Sequence, residues 1–300
     1  MLKGVSKVLF VMLLVMTSCS GHDDAIDGGG LDKPEAGQQT VTMTISRAGA
    51  SEFVEAGITQ LSVYTYKVDR KVTTLFNEQT VDVTSSDFDG AVLSHSFPLG
   101  ETFQTVIAAN VSSVTGKESL STLTFHFDPL GDKEVWSSPV IRFISDKSVS
   151  ELNFELDRII ARIKFEPAET QAELGAFDGF DKIKITFTNL ASSYMPLTKE
   201  VELSDIAVET DASAGYRTQL YTFATTSAQT NGGVNIEYFK DGSSVNTSAS
   251  LLETGITYAA SGDYTVRVPI TSPDFVSVPW TTGSRSASPQ AKFEVIKSTL

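Results

Sequence analysis

The sequence predicts an all-β fold built as two β-sandwich domains. Three observations carry that prediction: apolar residues recur at every second position through most of the chain, helical spacing is scarce, and clusters of Gly, Asn, Asp and Ser separate the alternating runs. Many short strands with no helical repeat bury one face each and pack as sandwiches. A chain of 300 residues suits two domains better than one, and 41% hydrophobic with 20% charged residues is ordinary globular material.

The chain opens differently from the rest. Lys3 and Lys7 form a basic start, Val8 to Met16 an apolar run, and Thr17-Ser18 the small residues that precede processing. The run is too short to span a bilayer. Cys19, the one cysteine of the sequence, follows at once, and the arrangement resembles a bacterial lipobox in which the thiol is acylated. Residues 1–18 are therefore expected to be a lipoprotein signal peptide, with Cys19 the lipidation site. Two or more acyl chains, at ~0.8 kcal/mol per buried CH₂, give lasting attachment to a membrane. Residues 19–39 are rich in Asp and Gly and have no apolar period, as in a flexible tether.

From Thr40 onward the alternation sets in. Val41, Met43 and Ile45 alternate with threonines, and Leu61 to Lys67 and Phe103 to Val111 continue the pattern. A strong run follows at Ile159, Ala161, Ile163 and Phe165, then another at Ile183, Ile185 and Phe187. Further strands are predicted at Val201–Leu203, Gln219–Thr225, Ile236–Phe239, Tyr264–Ile270 and Phe293–Ile296. Lys117–Thr122 and Glu169–Leu174 are the two segments with spacing for a short helix. Ser145 to Glu151 is polar and a new alternating run begins soon after, which divides the chain into sandwiches over 40–156 and 157–300. No repeat of fixed period is visible, although two sandwiches of similar size fit the spacing.

Composition narrows the function. Loss of residues 1–18 takes two of the 23 basic residues and leaves 21 against 37 acidic ones, a net charge of −16. Nucleic acid is excluded as a partner, because no basic block offsets the repulsion. With Cys19 acylated no thiol remains, so neither disulfides nor cysteine-held metals support the fold. His22, His95 and His126 stand apart without a second ligand at helical spacing, and no Gly-x-Ser-x-Gly elbow is present. The expectation is a protein without enzyme activity, metal or cofactor. Trp136 and Trp280 offer an alternative: aromatic faces that stack on sugars in a surface glycan-binding lipoprotein.

Four segments point further. Thr40 to Arg47-Ala48-Gly49 is an alternating strand closed by Arg-Ala, followed by the strand at Ile58 to Tyr66. Phe103 to Asn110 ends in Ala-Asn, and Leu156 to Phe165 follows it. Their order behind a lipobox and an acidic tether resembles the fimbrillins, lipoprotein-derived pilus subunits of Bacteroidales. The likeness covers roughly the first half of the mature chain; beyond about residue 166 it rests on strand pattern.

The resemblance implies two transthyretin-like sandwiches and a structural subunit of a cell-surface fimbria that contributes to adhesion. It implies an arginine-specific protease as partner, cutting Arg47-Ala48 and removing the lipid together with the strand of Val41, Met43 and Ile45. Other fimbrial subunits would then fill the space by donor-strand exchange. Phe293 and Val295, in the C-terminal Lys292–Leu300, are the candidate donor, although this segment reads equally as the last strand of the second domain. Until the cut, Cys19 ties the chain to outer-membrane lipid on the cell surface. A subunit that escapes the cut would keep its lipid and serve as a fimbrial anchor or accessory subunit.

Overall fold

The computed structural model describes residues 37–47, 57–83, 91–228, 233–251, 256–271 and 280–284. Cys19, Ala48, Phe293 and Val295 lie outside the described residues, as do the signal peptide and the tether up to residue 36. In chain order the first strands are β1 (Gln38–Arg47), β2 (Gln60–Asp69), β3 (Val72–Asp82), β4 (Ala91–Pro98), β5 (Thr102–Ala109), β6 (Ser113–Thr115), β7 (Thr124–His126), β8 (Trp136–Ser137), β9 (Ile141–Ile144) and β10 (Glu151–Arg158). After them come β11 (Ile160–Pro167), helix α1 (Gln171–Ala176), β12 (Lys182–Tyr194), β13 (Val201–Asp211), β14 (Thr218–Phe223), β15 (Gly233–Lys240), β16 (Ser243–Leu251), β17 (Gly262–Val268) and β18 (Trp280–Ser284).

The all-β prediction holds. Alternation puts the apolar residues of each half on one face, and those faces close on each other. In the first half the sheet β4-β1-β10 covers the sheet β3-β2-β5-β9. The short β8 bridges them at one end, pairing Ala108 with Ser137 and Trp136 with Arg158. The enclosed core includes Val41, Met43, Ile45, Val63, Phe97, Ile107 and Phe154. In the second half β14-β11-β17-β18 covers β13-β12-β15-β16 around Ile163, Phe165, Ile185, Phe187, Ile236 and Val266. The β15–β16 hairpin turns at Asp241-Gly242, both at positive φ as a tight two-residue turn requires.

The two halves repeat one topology. β11, like β1, lies between an antiparallel neighbour (β14 or β4) and a parallel one (β17 or β10). β12 pairs with β13 and β15 as β2 pairs with β3 and β5, and β16 joins β15 as β9 joins β5. The chain leaves the first pattern at Arg158 and enters the second at Ile160, with Ile159 between.

A third core joins the halves. The β6–β7 hairpin departs from the first sandwich and adds to the far end of β12, pairing Phe125 with Tyr194 and His126 with Ser193. Tyr64, Tyr66, Val106 and Phe125 from the first half meet Ile160, Ala191, Tyr221 and Phe223 from the second.

One helix forms where spacing allowed it and the other does not. Thr170 and Glu173 make a reciprocal capping box that starts α1. Lys117–Thr122 is a series of turns. Gly116 adopts φ +63, where a Cβ would lie 2.0 Å from the Thr122 carbonyl oxygen. The hydroxyls of Thr73, Ser119 and Thr122 take up backbone groups that a helix would use.

His95 gives the first sandwich a pH dependence. Its ring, on β4, meets Phe76 of β3 at 5.7 Å and Phe97 at 4.8 Å, so aromatic edges close the seam between the two edge strands. Burial lowers its pKa below the ordinary 6.5. The folded state therefore resists protonation, so the stability is fully present above pH 6.5 and is lost as pH falls below it through the folded-state pKa. Denaturant midpoints measured between pH 8 and pH 5 should fall for the natural chain, and His95→Phe should flatten that part of the curve.

Candidate functional site

The candidate site is strand β1 and the slot that holds it. β1 runs parallel to β10, from Thr42 opposite Glu151 to Arg47 opposite Leu156, and antiparallel to β4, from Gln38 opposite Pro98 to Ile45 opposite Ala91. Its backbone is thus paired along both edges. Val41, Met43 and Ile45 point inward and are 0%, 2% and 0% exposed. Between them stand Thr40, Thr42, Thr44 and Ser46, whose hydroxyls reach Ser96, Ser94, Glu151 and the Phe154 carbonyl at 3.2 to 3.4 Å.

This geometry has a plain consequence. Without β1, both β4 and β10 would present an unpaired edge beside an apolar slot with places for three side chains two residues apart. Such a slot accepts an extended segment with the same alternation. Among the described residues the ladder to β10 runs as far as Arg47 and the ladder to β4 as far as Ile45.

The tryptophan site takes a different form from the expected sugar platform. Trp136 is 4% exposed, and the Arg158 guanidinium sits 4.8 Å above its ring. Glu134 pairs with the Arg158 Nε at 2.5 Å and fixes the stack. The two-residue β8 holds Trp136 between β5 and β10, so its face is taken by protein. A cleft of about 710 Å³ opens beside it at the junction of the sandwiches, lined by Ser138, Asp157, Arg158, Tyr194 and Lys199 among others. Trp280 begins β18, and its side chain is outside the described residues.

Histidines do not converge. His95 is packed among phenylalanines, and the His126 Nε2 lies 3.0 Å from the Thr115 hydroxyl. Among the described residues no three His, Cys, Asp or Glu side chains are grouped to hold a metal ion. No helix among them is long and apolar enough to cross a membrane.

No family model and no curated protein matches the sequence. Solved structures do match in shape. A protein from Bacteroides thetaiotaomicron described as a polysaccharide-binding candidate superposes with a TM-score of 0.55 at 9% identity, over 83% of this chain and 100% of the other. The chain has its fold. An adhesin candidate from the same organism gives a TM-score of 0.50 at 10% identity, over 84% and 99% of the two chains. A fimbrial assembly protein from Parabacteroides distasonis gives 0.48 at 12% identity, over 82% and 96%. At 9% and 10% identity the first two likenesses are of fold alone.

Proposed function

We propose that the chain is a structural subunit of a cell-surface fimbria. In this reading it is exported as an outer-membrane lipoprotein through Cys19 and trimmed between Arg47 and Ala48 by an arginine-specific protease. Donor-strand exchange then joins it to its neighbours, with adhesion as the outcome and no enzyme activity. The observation that carries the reading is the position of β1. It is the first of the described strands, is paired on both edges and contributes three buried apolar residues just before Arg47. A single cut after it converts a closed sandwich into an acceptor. Support comes also from the fold shared with the Bacteroides adhesin candidate. The donor in this scheme is the segment of Phe293 and Val295 of a neighbouring subunit, whose alternation matches the slot.

The glycan-binding alternative loses its first candidate, because the Trp136 face is covered by Arg158. Treatment of surface-displayed protein with an arginine-specific protease tests the proposal. A product beginning at Ala48 and a ladder of SDS-resistant multimers are expected, and Arg47→Ala should abolish both. Intact monomer throughout would overturn the pilus-subunit reading, and undiminished ladders from Arg47→Ala would overturn the assigned bond.

A further inference from the structure

Because the two sandwiches repeat one topology, β11 is an internal reference for β1. The registers superpose with a constant offset. Thr42 faces Glu151 on β10 as Arg162 faces Asp263 on β17, and Thr44 faces Asn153 as Lys164 faces Thr265. The inner faces agree: Val41, Met43 and Ile45 correspond to Ala161, Ile163 and Phe165, all buried. The difference is on the outer face.

On β11 that face is tied by charge. Arg162 donates to both Asp263 oxygens, at 3.0 and 2.7 Å, and the Lys164 Nζ lies 3.1 Å from Oδ2. Asp263 is 6% exposed, and the Arg162 and Lys164 side chains are 24% and 20% exposed. One turn of the pattern further, Arg267 pairs with Glu166 at 3.0 Å. Burial alone would raise the pKa of the Asp263 carboxyl; the bonds from Arg162 and Lys164 outweigh it and hold the group below its usual range. Separating β11 from β17 would strand a buried charge, which proteins resist strongly. β17 is also paired on its other edge, by β18.

On β1 the same positions hold hydroxyls. Thr42 and Thr44 stand where β11 has Arg162 and Lys164, and their contacts at 3.3 and 3.4 Å are long and lack a cationic partner. Ser46 stands where β11 has Glu166. The acidic half of the tie is nevertheless present: Glu151 occupies the Asp263 position, and its Oε1 accepts from Thr44.

We infer that β1 is a release strand: it keeps the buried inner face that fills the slot but lacks the outer-face charge tie that fixes its twin β11, so it opens locally while the second sandwich stays shut. The serine and threonine row is the device, since neutral hydroxyl contacts reform equally with water, whereas charge-assisted pairs do not. The inference deepens the pilus-subunit reading by explaining how the first strand can leave, and its first test needs neither cleavage nor assembly.

Hydrogen exchange on the intact, uncut protein, resolved to single strands, is that test. Amides of β1 should exchange at least about tenfold faster than those of β11, as expected of local opening below the global stability. Thr42→Arg with Thr44→Lys rebuilds the tie onto Glu151 and should slow β1 exchange by about tenfold, with the gain shrinking at high salt. Thr42→Val with Thr44→Val, which adds no charge, should give no such salt-dependent gain. Equal protection of β1 and β11 in the natural protein would overturn the inference, and so would a folded Thr42→Arg/Thr44→Lys protein with unchanged β1 exchange. Should that variant fail to fold, Arg162→Thr with Lys164→Thr reads the same question in reverse: faster β11 exchange supports the inference and unchanged exchange overturns it. A failure of Arg47 cleavage would leave these rates as they are, so the two claims fall separately.

Discussion

A chain that begins at Ala48 is expected to have an N-terminal sandwich weakened by roughly 5–9 kcal/mol, and a peptide spanning Gln38–Arg47 should restore it. The figure follows from burying Val41, Met43 and Ile45, at ~1.5–3 kcal/mol for each fully buried side chain. Whole domains are stable by about 5–15 kcal/mol, so this loss takes most of the margin. The unpaired edges of β4 and β10 add to it, because both ladders of β1 vanish together. Chemical denaturation with and without the peptide measures the loss, and binding of a dye to exposed apolar surface reports the open slot. A peptide carrying Met43→Asp should fail to rescue, since it would place a carboxylate where the residue is 2% exposed. If the shortened chain unfolded at the same denaturant concentration as the longer one, β1 would be an ornament of the sheet and not part of its core.

Phe223→Ala is expected to cost about 3–5 kcal/mol and to split one unfolding transition into two. Phe223 is fully buried in the third core, where its ring meets Phe127 at 4.6 Å edge-on and Tyr194 at 5.6 Å stacked. Around it sit Tyr64, Tyr66 and Phe125 from the first sandwich. Truncation removes the apolar bridge between halves that otherwise have their own cores. Calorimetry should show one peak for the natural chain and two for the variant. A single peak moved to lower temperature would mean that the β6–β7 hairpin couples the halves without the aromatic cluster.

The sequence displays strands where one face is buried and one is wet. β1, β11, β12 and β17 are legible for that reason, since inward Val, Ile and Phe alternate with outward Thr, Lys and Arg. β10 is harder to see: Leu152, Phe154 and Leu156 alternate there too, but Glu151, Glu155, Asp157 and Arg158 make the stretch look like a polar connection. Ile159 and Ile160 break the alternation because the chain changes sheets at this point and both residues enter the third core. The departure of β6 and β7 to the second half has no local signal, since three-residue strands carry no period. The duplication is invisible for a related reason. What the halves share is which positions face inward, and residues as different as Met43 and Ile163, or Thr42 and Arg162, satisfy it.

The site was legible by half. Val41, Met43 and Ile45 announce a buried face in the alternation itself, and Arg47 stands out as the basic residue that closes it. The meaning of Thr42, Thr44 and Glu151 depends on a parallel pairing between residues more than a hundred positions apart, which no local pattern contains. Trp136 misleads as a motif because its burial comes from a two-residue strand and from Arg158 packing over its ring.

The N-terminus of the assembled protein reports directly what happens to the first strand. N-terminal sequencing of material recovered in polymeric form from the cell surface should begin at Ala48, with residues up to Arg47 absent. Polymers whose chains all retain an acylated Cys19 would contradict it, because β1 would then still fill its own slot and leave no place for a neighbour's strand.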